Sequence, residues 1–297
     1  MSGIVCRDCG RGCGALRTGD GGEGFCGCGL TPRVALAKPH FGEEPCISGT
    51  KGSGAVFFSG CSLKCVFCQN YGISHKGTGH DVSTERLAEI FRELEAAGVH
   101  NINLVNPTHY TAAIDAAMRI RRPGIPVVYN TGAYDSPETV LRASEWADVF
   151  LPDLKLYSPS RCKRYLGAGN YFQTAVNAIE TMLKLRPENV YRDGLLISGV
   201  IIRILVLPCN ADQACAVADY IADTWGTGVT VSVMSQYYPA GRVKTDAPEL
   251  DRNITKREYE RVCGHFIERG FENGYFQDMS SGDGAMTPDF NGEGVVR

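Results

Sequence analysis

The sequence predicts an α/β fold built on a parallel sheet. Three observations predict it: six short, apolar, β-rich runs, helical periodicity in the stretches between them, and no long linker, low-complexity tract or short-period repeat to interrupt the alternation. Continuous apolar strands alternating with helices imply a sheet covered on its faces, and right-handed crossovers curl such a sheet into a barrel or an open doubly wound sheet. Six units are too few for the usual eight-fold barrel.

Taken in order, residues 1–50 form a Gly- and Cys-rich head, expected to be a separate metal-binding unit. The expected strands are Ala55–Ser59, Ile102–Asn106, Pro126–Asn130, Val149–Leu154, Gly199–Leu207 and Val229–Met234, all within a barrel unit over residues 51–240. Between the first two strands, Ser83 is an N-cap, Leu87, Ile90, Phe91 and Leu94 fall on one helical face, and Gly98 is a stop. Before the fourth strand, Ser136, Pro137 and Glu138 read as cap, first-turn proline and first-turn acid. Residues 241–297 are a turn-rich extension with "SSGDG", "TPDF" and a helix from about Thr255 to Arg269, expected to close the open side of the barrel.

Composition narrows the setting. A chain of 297 residues, 43% hydrophobic, buries a large core in one main domain. A net charge of -3, with basic residues dispersed, gives no footprint for nucleic acid. The start "MSGIVCRDCG" lacks a basic-then-apolar signal, and the apolar stretch Leu195–Pro208 is interrupted by Arg203 and too short for a bilayer, so a soluble, cytoplasmic protein without membrane partners is expected. The 13 cysteines sit in tight local groups, which suits metal or redox chemistry in a reducing compartment better than disulfides.

The densest group is "GCSLKCVFCQN", Gly60 to Asn70. It follows the first strand, at the C-terminal end of the sheet where parallel α/β folds place their chemistry. Cys61, Cys65 and Cys68 leave a tetrahedral zinc site one ligand short, which a histidine such as His75 would complete, or they hold three irons of a [4Fe-4S] cube with the fourth iron open. A second group, Cys6, Cys9, Cys13 and Cys26, with Cys28 close by, suits either zinc or an auxiliary iron-sulfur cluster. Cys46, Cys162, Cys209, Cys215 and Cys263 stand apart and are expected to be small buried hydrophobes. The glycines of "SGTKGSG" precede a strand, so they are not a phosphate-binding loop.

The spacing Cys-x3-Cys-x-aromatic-Cys resembles that of radical S-adenosylmethionine (SAM) enzymes. The resemblance implies a partial (β/α)6 barrel, a [4Fe-4S] cluster, and S-adenosylmethionine chelated to the open iron and cleaved to a 5′-deoxyadenosyl radical. "EEPCISGTKGSG", "FCQNY", "NPTHY", "YNTGAY", "PDLKLY" and "TPDF" are similar to pyruvate formate-lyase activating enzymes, in particular a less characterised activating-enzyme-like branch. That likeness implies that Phe67 lies near the adenine, that Asn70 follows the cluster loop, and that Asp153 and Lys155 hold the methionine moiety. Asn130 and Thr131 stand where the activating enzymes carry an Asp-Thr pair that helps bind a monovalent cation. Arg203 matches an arginine facing the cofactor carboxylate, although a lone Arg in so apolar a strand needs an anionic partner in any case. Where most of the family ends its second strand with Gly-Gly-Glu, this chain has "VNPTHY", leaving Asn106 or Thr108 to accept from the cofactor ammonium. Thr108 also reads as a helix cap, and two readings stand for His109: that it or Tyr110 faces the substrate, or that it is a solvated first-turn histidine.

The activity so implied is abstraction of a hydrogen atom from a protein or peptide, with a glycyl radical as one product and a flavodoxin- or ferredoxin-type protein as electron donor. The eight-cysteine ferredoxin insert of many activating enzymes is missing here. A small-molecule or cofactor-biosynthesis substrate is the alternative within enzymes, and an iron-sulfur sensor or zinc-stabilised binding module the alternative outside them.

Overall fold

A computed structural model describes residues 3–19, 21–279 and 287–296. "SSGDG" lies outside the described residues.

Short strands β1 (Ile4–Val5) and β2 (Leu16–Arg17) pair antiparallel in the head. The main sheet then takes β3 (Arg33–His40), β4 (Ser53–Phe58), β5 (His80–Asp81), β6 (Ile102–Val105), β7 (Val127–Thr131), β8 (Val149–Pro152), β9 (Val190–Arg192), β10 (Leu195–Leu205), β11 (Thr230–Met234) and β12 (Gly274–Phe276). Its order is β12-β11-β10-β8-β7-β6-β4-β3-β5, with β9 antiparallel to β10. The strands β4, β6, β7, β8, β10 and β11 answer to the six expected runs and pair parallel throughout. The sheet is an open, partial barrel.

Helices follow the parallel strands because the sequence caps them where the strands end. Ser83 accepts from Arg86 N at the start of helix Thr84–Ala96. Ser136 does the same for Thr139 N at Pro137–Ala143. Thr255 and Glu258 form a reciprocal capping box at Lys256–Glu268. The apolar faces of these helices and of Tyr171–Leu185 and Ala211–Trp225 bury Phe91, Ile179, Ile221 and Phe266 against the outer side of the sheet in one continuous core.

Three expectations are corrected. The sheet begins before residue 50: β3 pairs antiparallel with β4 from Val34 to His40, so only the segment up to about Thr31 stands apart as a head. The extension also joins the sheet, since β12 lies parallel to β11, and residues 292–295 return along β3 through Gly292 N to Ala35 O and Ala37 N to Glu293 O. Among the solitary cysteines, Cys46, Cys162 and Cys215 are buried and Cys263 is half-buried, but Cys209 is exposed. It occupies a turn after Pro208 with φ +57, and its thiol lies beside Arg252 at the surface.

Among the described residues no helix is long and apolar enough to cross a membrane. Phe266 is fully buried and packs on Phe271, 5.0 Å between ring centroids. Phe266→Ala should lower the unfolding free energy by about 3–5 kcal/mol. Urea titration of both proteins measures this, and a loss within experimental error of zero would show that the C-terminal helix does not share the core.

Candidate active site

Side chains two apart on a strand share a face, and that period builds the site. On the inner face, Val128, Leu151 and Ile201 pack with Cys46 and Ile47 of the short helix Pro45–Ser48, which plugs the barrel from below. Two residues further along the same strands come Asn130, Asp153 and Arg203. They line a cavity of about 210 Å³ at the C-terminal strand ends, together with Cys61, Cys65, Cys68, Phe67, Asn70, Asn106, Thr131, Lys155 and Glu43.

The floor of this cavity is a balanced set of two cations and two anions. Arg203 Nε donates to Asp153 Oδ1 at 2.8 Å, its Nη1 to Glu43 Oε2 at 2.9 Å and its Nη2 to Asn130 Oδ1. Lys155 pairs with the other oxygen of Asp153. Glu43 Oε1 accepts from Asn103 at 2.9 Å and Asn130 at 3.0 Å. Burial alone would raise the Asp153 carboxyl, but Arg203 and Lys155 outweigh it and hold it below the usual carboxylate range. Burial likewise works against the charge on Lys155, and Asp153 and Cys65 overcome it and raise the ammonium.

The cluster loop is anchored on every side. Gly60 has φ +86, and a Cβ there would lie 2.0 Å from Cys28 Sγ, so only glycine fits. Asn106, itself left-handed at φ +59, donates to Gly60 O from the end of β6. Arg11 of the head donates to Ser62 O at 2.8 Å and Leu63 O at 3.3 Å. Ser74 Oγ donates to Cys68 Sγ at 3.2 Å and Leu63 N to Cys61 Sγ at 3.4 Å. Burial pushes the Cys65 thiol well up and the Cys68 thiol to about 11, so each stays protonated until a metal displaces the proton.

The other expected residues fall as follows. Phe67 is buried edge-on to Tyr237, and Asn70 is the N-cap of Tyr71–Ser74; both line the cavity. Thr108 is not among the lining residues: its hydroxyl meets Thr131 Oγ1 at 3.4 Å, beneath the cavity, and it begins a 3-10 turn without capping it. His109 is 4% exposed, not solvated, because that turn folds inward under Ser59. His75 does not complete a zinc site, since Nδ1 bonds Ser74 Oγ and Nε2 bonds Lys64 O. The place expected for a monovalent cation is held by a guanidinium: Asn130 Oδ1 accepts from Arg203, and Thr131 Oγ1 donates to Asp135. Sequence reasoning missed Glu43. Its signal was Arg203 itself, whose burial demanded more anion than Asp153 provides.

A partial parallel barrel with three cysteines and a charge-balanced cavity at its catalytic end defines the class of the protein. The sequence model of the Radical SAM superfamily matches residues 55–208, and the chain belongs to that superfamily. An uncharacterized protein of Methanocaldococcus jannaschii is 30% identical over 234 residues, which cover 75% of this chain and 63% of that one. The chain thus spans less than two thirds of that curated relative. Among solved structures, Streptococcus suis SuiB bound to S-adenosylmethionine aligns at 14% identity and TM-score 0.49, over 73% of this chain and 48% of that one. Methylornithine synthase (PylB) aligns at 17% and 0.46, over 70% and 60%. The superfamily implies a [4Fe-4S] cluster and S-adenosylmethionine. The donor set fits: three thiols face one cavity, two of them accept from nearby N–H or O–H groups, and among the described residues no fourth metal-ligating side chain joins them.

Removing the cation from the floor leaves Glu43 and Asp153 buried without their main partner. Arg203→Met should cost about 3–5 kcal/mol of stability at neutral pH. Arg203 helps hold the Asp153 carboxyl below the usual carboxylate range, so the stability it contributes is present above that range and is lost as pH falls through and below it, and the deficit of the variant shrinks on acidification. Urea titrations at neutral and acidic pH measure it; a deficit that grows on acidification would contradict the ion-pair assignment.

Proposed function

We propose that the chain binds S-adenosylmethionine in this cavity, against a cluster held by Cys61, Cys65 and Cys68, and uses it to abstract a hydrogen atom from a protein or peptide. The observation that carries the reading is the charge-balanced floor beside the three thiols. The methionine end of the cofactor is a zwitterion, and a site offering Lys155 with Asp153 and Arg203 with Glu43 meets both of its charges without stranding any of its own. When bound, the cluster supplies the electron that cleaves the sulfonium and releases the 5′-deoxyadenosyl radical.

The chain's own tasks are binding, aiming and exclusion. Phe67 offers an aromatic wall, with Tyr237 packed edge-on behind it. Asn106 and Arg11 hold the cluster loop at the rim. Gln69 donates to Gln236 O, and Arg242 N to Val66 O beside Gly241, whose φ is +66, so the segment after β11 is tied across the loop and covers it from water. The substrate class rests on the likeness of "FCQNY", "YNTGAY" and "PDLKLY" to activating enzymes, with a glycyl radical as the product that likeness favours.

Anaerobic assay of the reduced, reconstituted chain with S-adenosylmethionine tests this. We expect 5′-deoxyadenosine, more of it with the high-mass than the low-mass fraction of host extract, and a glycyl radical signal in the former. Cys65→Ala should abolish formation. Retained 5′-deoxyadenosine in that variant overturns the cluster assignment, and stimulation by the low-mass fraction alone overturns the protein substrate.

A further inference from the structure

A second cavity lies between the head and the barrel. Cys6, Cys9, Cys13 and Cys26 line it with Asp8 and His109, and its volume is about 20 Å³, room for one water-sized particle. Cys6, Cys9 and Cys26 are half-buried around this one cavity. Cys13 is exposed. Cys28 is not among the lining residues: its thiol lies behind Cys26, 3.4 Å from Cys26 O, and is buried against Gly60.

His109 reaches this cavity from the opposite side, from the turn after β6. Its Nε2 lies 2.7 Å from Ser59 O. A carbonyl only accepts, so Nε2 carries a proton and Nδ1 of the neutral ring keeps its lone pair. That Nδ1 is buried and has no partner. A buried ring nitrogen left without a partner is destabilising. A histidine whose other nitrogen donates to a backbone carbonyl is oriented as metal-ligating histidines are.

We propose that this cavity is a structural zinc site whose ligands are Cys6, Cys9, Cys26 and His109 Nδ1, with Cys13 outside the set. Four protein ligands of this type make a closed tetrahedral site. The cavity has room for a single ion. Zinc binding releases the three thiol protons to solvent, and three thiolates with Zn²⁺ leave one net negative charge. Arg17 is placed to meet it: it is 4% exposed, 3.9 Å from Cys6 Sγ and 3.1 Å from Asp8. Closure requires the thiols to rotate, since among the described residues no three His, Cys, Asp or Glu side chains meet at one point, in the head or at Cys61, Cys65 and Cys68. The ion would pin the head to the turn after β6, and through Arg11 brace the loop of Cys61.

The test uses the full chain with Cys61, Cys65 and Cys68 all changed to Ala, expressed with zinc and iron both supplied, so that any iron bound belongs to the head. It is independent of the radical chemistry, which this variant lacks. We expect one zinc per chain and no iron-sulfur absorption. X-ray absorption at the zinc edge should give three sulfurs at about 2.3 Å and one nitrogen at about 2.0–2.1 Å. Added to this variant, Cys13→Ser should leave zinc affinity unchanged, and His109→Ala should weaken it roughly 100-fold, one ligand's share of four. Four sulfurs at the zinc, an iron-sulfur chromophore in the head, or no metal at all each overturn the proposal; the sulfur count does so without depending on how well His109→Ala folds.

Discussion

Arg203 sits where β10 ends, with its guanidinium turned into the barrel and bonded to Asp153, Glu43 and Asn130. Burying that charge is tolerable only because two carboxylates and an amide surround it. Those three partners come from the ends of β8 and β7 and from the loop after β3, so one side chain fixes the relative position of four segments. Lys155 completes the balance through Asp153 and sets its positive charge near Cys65. The cavity is therefore polar and electrically neutral at its floor, and apolar below, where Ile47 and its neighbours exclude water.

The second parallel strand does not end in Gly-Gly-Glu. β6 ends in Asn106, whose amide secures the cluster loop instead of offering a carboxylate. Glu43 brings a carboxylate to the same cavity from another part of the chain. The head and the extension serve the same place: Arg11 grips the cluster loop from one side, and the segment after β11 crosses it from the other.

The parallel strands, the capped helices and the cysteine loop were legible in the sequence because their signals are local. β-branched runs bounded by turns, Ser83 three residues before Arg86, and three cysteines within eight residues need no distant partner to be read. β3 was missed because Pro39, near its end, marks it as a poor interior strand; it lies toward the sheet edge, where proline is tolerated. β12 is three residues long and opens with glycine, too little pattern to register. Glu43 and His109 were hidden for a different reason. Each matters through a partner far off in sequence, Arg203 for one and the cavity of Cys9 and Cys26 for the other, and no spacing rule connects them.

The central claim is that the three thiols and the charged floor form one site for S-adenosylmethionine at an open iron. The most direct measurement is electron paramagnetic resonance of the reduced, reconstituted chain before and after adding S-adenosylmethionine. The account predicts that the cluster signal changes shape on addition in the wild-type chain, and that Glu43→Gln needs a higher concentration for the same change. A signal indifferent to S-adenosylmethionine in the wild-type chain would contradict it.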